Sequence, residues 1–336
     1  GLVFNGSISQ QNVFGSGNAL TLGINTSKVN RTFSISYTEP YWTVDGVART
    51  LELYQRRLDP SSLSVSQYTS DTYGAAVAFA IPITETDTVN VGFRYDHTTL
   101  GLFSNSPPAY IDYVDQFGET TNAYVLSGGW ARDTRDDILY PNQGRLQSLL
   151  VEIGLPFGDL SYYKAQYVHQ WFWPVYGDFV LMVRGDFGYA DGYNQPACPP
   201  PLLGEEQYCA SLPFFKNFYG GGLGSVRVFQ QGSLGLRDPT GAYIGGAKRL
   251  NLNAELYVPL PGTGNDKSLR VFGFADAGNV WGEDEKITGS SIRSSAGIGL
   301  SWISPVGPLK MSWGTPLKSQ RNDRIQKFQF QIGTAF

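Results

Sequence analysis

Polar and apolar residues alternate along the stretch Asp87-Thr88-Val89-Asn90-Val91-Gly92-Phe93-Arg94-Tyr95-Asp96. Successive side chains of a β-strand point to opposite faces, so the odd-numbered residues would form an apolar face and the even-numbered residues a polar or small one. The same period of two recurs in residues 179–189, 250–258 and 292–302. The pattern therefore predicts an all-β chain.

Composition indicates that these strands meet lipid. Aromatic residues make up 14% of the 336 residues and charged residues 16%, whereas roughly a quarter of a soluble domain is charged. No apolar run approaches the ~20 residues of a transmembrane helix. Aromatic residues stand near the ends of the predicted strands, as in the interface girdles of outer-membrane barrels; they include Tyr41, Trp42, Tyr140, Trp171, Trp173, Trp281, Trp302 and Trp313. The sequence predicts a transmembrane antiparallel β-barrel with a hydrated, polar lumen.

The order of turns and loops supports a single barrel domain over residues 1–336. About fifteen strands can be placed, and short turns alternate with longer connections, as in outer-membrane barrels. The longest connection spans about 194–248, and we expect it to fold into the lumen. Bacterial barrels normally have an even number of strands, and the chain already alternates from Leu2 onward. We therefore expect the first strand to lie upstream of Gly1.

The sequence gives no sign of nucleic-acid, metal or cofactor binding. The net charge is -4 without a basic block, which argues against a nucleic-acid partner. His97 and His169 lie far apart and belong to no cluster of metal ligands. The glycine cluster at 220–224 lacks the Lys-Ser/Thr of a phosphate-binding loop. We expect no metal, no cofactor and no enzymatic activity.

The two cysteines, Cys198 and Cys209, lie in the same long connection. A close, even pair of this kind fits a disulfide formed in an oxidising compartment. The bond would contribute on the order of 2–3 kcal/mol in the chain-entropy model. Two free thiols are the alternative, and the sequence leaves both open.

Four short motifs together indicate a family. They are Glu39-Pro40-Tyr41-Trp42-Thr43-Val44-Asp45-Gly46; Phe218-Tyr219-Gly220-Gly221-Gly222 followed by Ser225-Val226-Arg227-Val228-Phe229; Ala275-Asp276-Ala277-Gly278-Asn279-Val280-Trp281; and Trp302-Ile303-Ser304-Pro305-Val306-Gly307-Pro308-Leu309. In this order and spacing, over essentially the whole chain, they resemble the C-terminal barrel of the BamA family of outer-membrane protein assembly factors. The resemblance implies a sixteen-stranded family architecture in the outer membrane of a Gram-negative bacterium.

The resemblance also implies a role for the motif Val226, Arg227, Val228 and Phe229. In the family, the loop arginine enters the lumen and contacts acidic residues on later strands, which here match Glu255 and Asp276. Strand phase independently places both carboxylates on lumen-facing sets. The alternative is that Arg227 only fixes the loop in place, and both roles are compatible.

The motif departs from the family at Val228, where the family has glycine. Glycine permits a positive φ, which a β-branched residue resists. If the family's backbone conformation is kept, the loop tip is strained; otherwise it is rearranged.

The C-terminal residues alternate again, and we expect a final strand over 322–336. Its apolar set and its end include Phe328, Phe330, Ile332, Gly333 and Phe336. The resemblance implies that the last strand pairs poorly with the first and forms a lateral gate, which Gly333 would weaken further. The alternative is a closing strand that carries only the barrel's own targeting signal.

The predicted function is the folding and insertion of β-barrel proteins into the outer membrane through this gate. The implied partners are unfolded outer-membrane protein clients, outer-membrane lipids, and lipoprotein subunits bound by periplasmic domains upstream of this fragment. The alternatives are a TamA-like or two-partner secretion transporter, and, from a different class, a passive porin.

Overall fold

The computed structural model describes residues 4–26, 30–59, 68–138, 140–194, 211–238, 241–260, 268–304 and 307–332. This part of the chain is almost entirely β-structure. Its strands are β1 (Phe4–Gln10), β2 (Ala19–Thr26), β3 (Asn30–Glu39), β4 (Ala48–Leu58), β5 (Tyr68–Pro82), β6 (Asp87–Leu102), β7 (Thr120–Asp133), β8 (Gly144–Gly154), β9 (Tyr162–Tyr176), β10 (Phe179–Gly192), β11 (Leu236–Arg237), β12 (Tyr243–Gly245), β13 (Lys248–Pro259), β14 (Leu269–Trp281), β15 (Arg293–Ser304), β16 (Gly307–Lys318) and β17 (Phe328–Ile332). One α-helix, α1 (Pro108–Phe117), lies between β6 and β7.

Fifteen of these strands form one antiparallel sheet. Its order follows the chain from β1 to β10 and then from β13 to β17, while β11 and β12 form a separate pair. Every neighbour in the large sheet is antiparallel, so each connection within it is a hairpin or a longer loop. None of the described helices is long and apolar enough to cross a bilayer. The predicted all-β antiparallel architecture is confirmed.

The two faces of the sheet differ in chemistry, as the alternation predicts. Large apolar side chains on one face are exposed, for example Phe93 and Leu126, which are paired in register between β6 and β7. The opposite face carries ion pairs, such as Arg94 with Glu152 at 3.0 Å. We call the first face outward and the second inward, because apolar side chains suit lipid and charged ones suit a hydrated lumen.

The connection between β10 and β13 packs on the inward face. Val226, Phe229 and Leu234 form a buried apolar cluster inside it. Near its start, Phe214 stacks on Tyr110 of α1 with ring centroids 4.0 Å apart. Helix α1 was not predicted from the sequence; a proline in its first turn and the burial of Tyr110 and Tyr113 account for it.

The final strand differs most from expectation. Of the predicted strand 322–336, the described residues 328–332 pair with β16, whereas 322–326 do not. The residues before it turn inward: the Gln326 N–H donates to the Val228 carbonyl at 2.6 Å, and the Gln230 N–H donates to the Arg324 carbonyl at 2.9 Å. The chain thus exchanges pairing with β16 for pairing with the long loop. Gly333, Phe336, Cys198 and Cys209 lie outside the described residues, so the disulfide and the end of the strand stay predictions.

Candidate functional site

The tip of the long loop is shaped by glycines. Gly221 and Gly222 adopt φ values of 94° and 93°, which glycine reaches without steric cost. A Cβ atom on Gly221 would collide with the carbonyl oxygen of Gln230. The Gly222 N–H donates to the Phe229 carbonyl at 3.0 Å, so the loop closes on itself and presents the residues between them toward the barrel wall.

Arg227 is the centre of the site and is 1% exposed. Its Nε and Nη2 donate to the two oxygens of Asp276 on β14 at 2.7 and 2.6 Å, and its Nη1 donates to Glu255 on β13 at 2.6 Å. The backbone N–H of Arg227 also donates to Asp276, at 3.0 Å. The guanidinium lies 4.0 Å from the ring centroid of Phe274. The structure therefore brings together the three residues Arg227, Glu255 and Asp276.

The charge of Arg227 is fixed by these contacts. Burial alone would lower its pKa, but the hydrogen bonds of Asp276 and the charges of Glu255 and Asp276 outweigh burial and raise the pKa of Arg227 above its ordinary value. A bidentate guanidinium–carboxylate pair of this kind has directional geometry that a lysine could not reproduce.

Sequence reasoning missed the residues that hold the two carboxylates. Lys310 on β16 donates to both oxygens of Glu255 at 3.0 Å, and the Tyr257 hydroxyl donates to the same carboxylate. Asn253 donates to Asp276 at 2.9 Å. The cluster therefore contains two cations and two carboxylates. The alternation of their strands places Lys310 and Asn253 on the inward face, and this was the sequence signal for them. Alternation does not show which inward-facing side chains contact one another.

Val228 keeps the left-handed backbone that its position demands. Its φ is 75°, and its side chain is buried against Phe272 and Phe274. The Val228 N–H donates to Gln329 Oε1 at 3.3 Å and its carbonyl accepts from Gln326. The loop tip therefore keeps a glycine-like backbone with a valine in it. This conformation is strained, at a cost to folding stability of about 1–3 kcal/mol.

This strain predicts an unusual order of stabilities. Glycine normally destabilises a buried site more than alanine does, because it loses more backbone entropy on folding. At position 228 we expect Val228→Gly to be more stable than Val228→Ala by about 1 kcal/mol, since only glycine accepts the positive φ freely. Urea unfolding of both variants in the same detergent measures the difference. An alanine variant at least as stable as the glycine variant would contradict the strain.

The loop tip is joined directly to the last strand. Gln329 on β17 is buried, and its Nε2 donates to the Phe229 carbonyl at 2.7 Å. Phe328 and Phe330, which were predicted as gate residues, point outward and are exposed, and Ile332 is half-buried. Gln329 was not predicted, although the alternation of β17 places it inward.

A second set of contacts holds the segment before β17. Asp323 forms a two-point ion pair with Arg293 of β15, with N–O distances of 3.2 Å. It also lies 3.5 Å from Arg237 of the long loop. Among the described residues, no group of three or more His, Cys, Asp or Glu side chains could hold a metal ion. The site is thus a set of buried ion pairs and hydrogen bonds that connects the loop, the wall and the last strand.

Comparison with known proteins identifies the family of the chain. The Omp85 superfamily domain matches residues 12–336. The chain is 37% identical to the outer membrane protein assembly factor BamA of Neisseria meningitidis over 100% of this chain and 45% of that protein. Among solved structures, BamA from Haemophilus ducreyi lacking POTRA domains 1–3 superposes with a TM-score of 0.87 at 26% identity, covering 98% of this chain and 66% of that one.

CdiB from Escherichia coli shares the fold alone, with a TM-score of 0.57 at 15% identity, over 98% of this chain and 58% of that one. The chain spans about half the length of the Neisseria meningitidis protein, a curated relative that it matches. The predicted resemblance and the outer-membrane localisation are confirmed. The match over nearly the whole length, together with the loop motif on the inward face, shows that the chain belongs to the Omp85 superfamily.

Proposed function

We propose that this chain is the barrel of an outer-membrane protein assembly factor, which folds and inserts β-barrel proteins through a lateral gate between its first and last strands. The observation that carries the proposal is the state of β17. This strand has five residues, and β16 is its one paired neighbour among the described strands. Its other edge offers backbone N–H and C=O groups to an incoming strand.

The proposed mechanism is strand addition. An unpaired strand edge is a template for another chain, and an added strand gains main-chain hydrogen bonds without covalent chemistry or nucleotide hydrolysis. A client strand that pairs with the gate would grow into a hairpin and then a sheet. The named relative is an assembly factor rather than a classical enzyme, and the absence of enzymatic activity here stays a prediction.

In this mechanism the site would set the position of the gate strand. Arg227 fixes the loop to β13 and β14 through Glu255 and Asp276. The next two residues of the loop then contact Gln329 of β17. The buried ion pairs therefore lie one or two residues from the contacts that hold the gate strand.

The contents of the lumen favour assembly over passive diffusion. The long loop packs on the inward face from one end. From the other end, the turn between β7 and β8 reaches β14: the Tyr140 hydroxyl donates to the Ser268 carbonyl at 3.4 Å, and Arg270 donates to Asn142 at 3.1 Å. A porin needs an open passage, whereas these contacts cross the interior. A transporter related to CdiB shares the fold and remains the alternative.

Reconstitution tests the proposal. The full-length protein in liposomes should accelerate the folding of an unfolded outer-membrane protein, measured by the heat-modifiable gel mobility of the folded client. The control is the same liposomes with a porin of similar size. A large, steady conductance in planar bilayers, with no acceleration of folding, would favour the pore instead. Lipoprotein partners, and the periplasmic domains that would bind them, stay proposals that require the longer protein.

A further inference from the structure

The outward face of β7, β8 and β9 carries polar side chains where lipid-facing residues are otherwise apolar. Arg132, Gln147 and His169 are paired in register across the three strands. Their outward direction follows from their phase, which they share with Leu126 and Leu149, while Glu152 on the inward set of β8 pairs with Arg94. We call Arg132, Gln147 and His169 the polar row; Arg145 lies beside it, paired with Trp171.

The row lies near the end of the barrel that carries the short turns. Residues 83–86 and 177–178 are two of these turns, and short turns are periplasmic in outer-membrane barrels. Arg132 stands one residue before the end of β7, and Arg145 stands one residue after the start of β8. The rings of Trp171 and Trp173 lie nearby with centroids 4.0 Å apart and planes tilted by 34°, and tryptophans are expected in a membrane-interface belt.

Two nitrogen atoms of this row make no hydrogen bond within the described part of the chain. Arg132 Nε and His169 Nε2 are shielded from solvent by the protein and make no hydrogen bond there. The carboxylate of Asp87 is 3.9 Å from Arg132, but it already accepts from Thr84 at 2.8 Å and from the Trp130 indole at 3.1 Å. In the described part of the chain no carboxylate lies within ion-pair distance of Arg145.

Other outward-facing arginines have a carboxylate nearby, as Arg132 has in Asp87, and therefore contrast with Arg145, which has none among the described residues. Arg49 is paired with Glu39 at 2.5 Å and stacks on Trp42. Arg57, at the opposite rim, lies 3.6 Å from Asp71. The outward face of β7–β9 therefore has more cations than nearby carboxylates. Unpaired donors facing lipid are costly unless a ligand satisfies them.

We propose that the polar row, with the charges of Arg132 and Arg145, binds the phosphate of an anionic phospholipid in the periplasmic leaflet. Guanidinium groups bind phosphate oxygens through paired N–H donors. Gln147 contributes an amide, although its Nε2 donates to Tyr167 at 2.9 Å in this structure, and the tryptophans would lie beside the glycerol and upper acyl region. Charge complementarity selects an anionic over a zwitterionic headgroup.

Native mass spectrometry tests this site. Full-length protein is released from nanodiscs with equal amounts of phosphatidylglycerol and phosphatidylcholine, and the lipids retained are counted. We expect wild type to retain phosphatidylglycerol selectively, and the double variant Arg132→Gln/Arg145→Gln to lose about fivefold in that selectivity per arginine. The matched control is Arg31→Gln/Arg57→Gln, which removes the same charge from the outward face at the other rim.

Three outcomes would overturn the proposal. One is equal selectivity in wild type and the Arg132/Arg145 variant, and another is an equal loss in the control variant, which would indicate bulk charge only. The third is unchanged lipid retention with loss of a co-purifying protein subunit, which would assign the row to a protein partner. Heat-modifiable mobility of each variant establishes that it has folded. Because lipid retention is measured without a client, the result is independent of the proposed assembly activity.

Discussion

Joining β17 to the first strand of the full-length barrel with an engineered disulfide should abolish client insertion. The reason is that the proposed gate offers its unpaired edge only while the two strands can separate. A covalent bond across the gate prevents separation without changing the lumen. We expect folding of clients in liposomes to fall to the level of empty liposomes, and to recover after reduction. The substitutions are made with Cys198→Ser and Cys209→Ser, so that the native cysteines do not interfere.

The matched control places the same bond on the other edge of the last strand. Trp313 and Phe328 are paired in register between β16 and β17 and both are exposed. A disulfide between Trp313→Cys and Phe328→Cys leaves the gate edge free, so insertion should proceed. Ion conductance should be the same in both cross-linked proteins. Continued insertion by the gate-linked protein, with the bond shown to be complete, would exclude the lateral mechanism.

Arg227→Ala should be the most destabilising single substitution in the loop. Removing the guanidinium leaves Glu255 and Asp276 almost fully buried, with Lys310 as the one remaining cation in ion-pair distance among the described residues. Breaking one partner of a buried ion pair costs about 3–5 kcal/mol. Urea unfolding followed by tryptophan fluorescence measures the loss, and client insertion should decline with it because the loop no longer holds Gln329.

Two variants separate charge from geometry. Arg227→Lys keeps the charge but cannot make the bidentate contact, so its stability should lie between wild type and alanine. Arg57→Ala removes a partly exposed partner of Asp71, and such surface pairs contribute about 0–1 kcal/mol. If the Arg227→Ala and Arg57→Ala proteins unfold at the same urea concentration, the buried cluster contributes no more to stability than a surface ion pair does.

Most of the sheet follows from local pattern. Because the side-chain period of a strand is two, the sequence alone placed Glu255 and Asp276 on the inward face. That placement narrowed the possible partners of the loop arginine, and the family resemblance supplied the pairing. The polar residues Lys310 and Asn253 carry the same kind of signal, but phase identifies a face and not a neighbour.

The features that sequence missed depend on the path of the loop. The segment before β17 pairs with the loop tip rather than with β16: the Val228 carbonyl accepts from the Gln326 N–H, and the Gln230 N–H donates to the Arg324 carbonyl. Contacts between residues 101 positions apart, such as Val228 with Gln329, are not encoded in local periodicity. For the same reason helix α1 could not be inferred from its neighbours: its burial depends on Phe214, which belongs to the long loop.

The position of Gln326 and Gln329 against the loop tip has a consequence for biogenesis of the barrel itself. The strands from β1 to β10 each pair with a neighbour in sequence, so that part can form progressively from contacts of low sequence separation. The hydrogen bonds of the last segment instead join it to Val228 and Phe229 of the long loop. These bonds form only when the loop lies on the inward face, so a barrel whose loop stayed outside would hold its last segment through β16 alone.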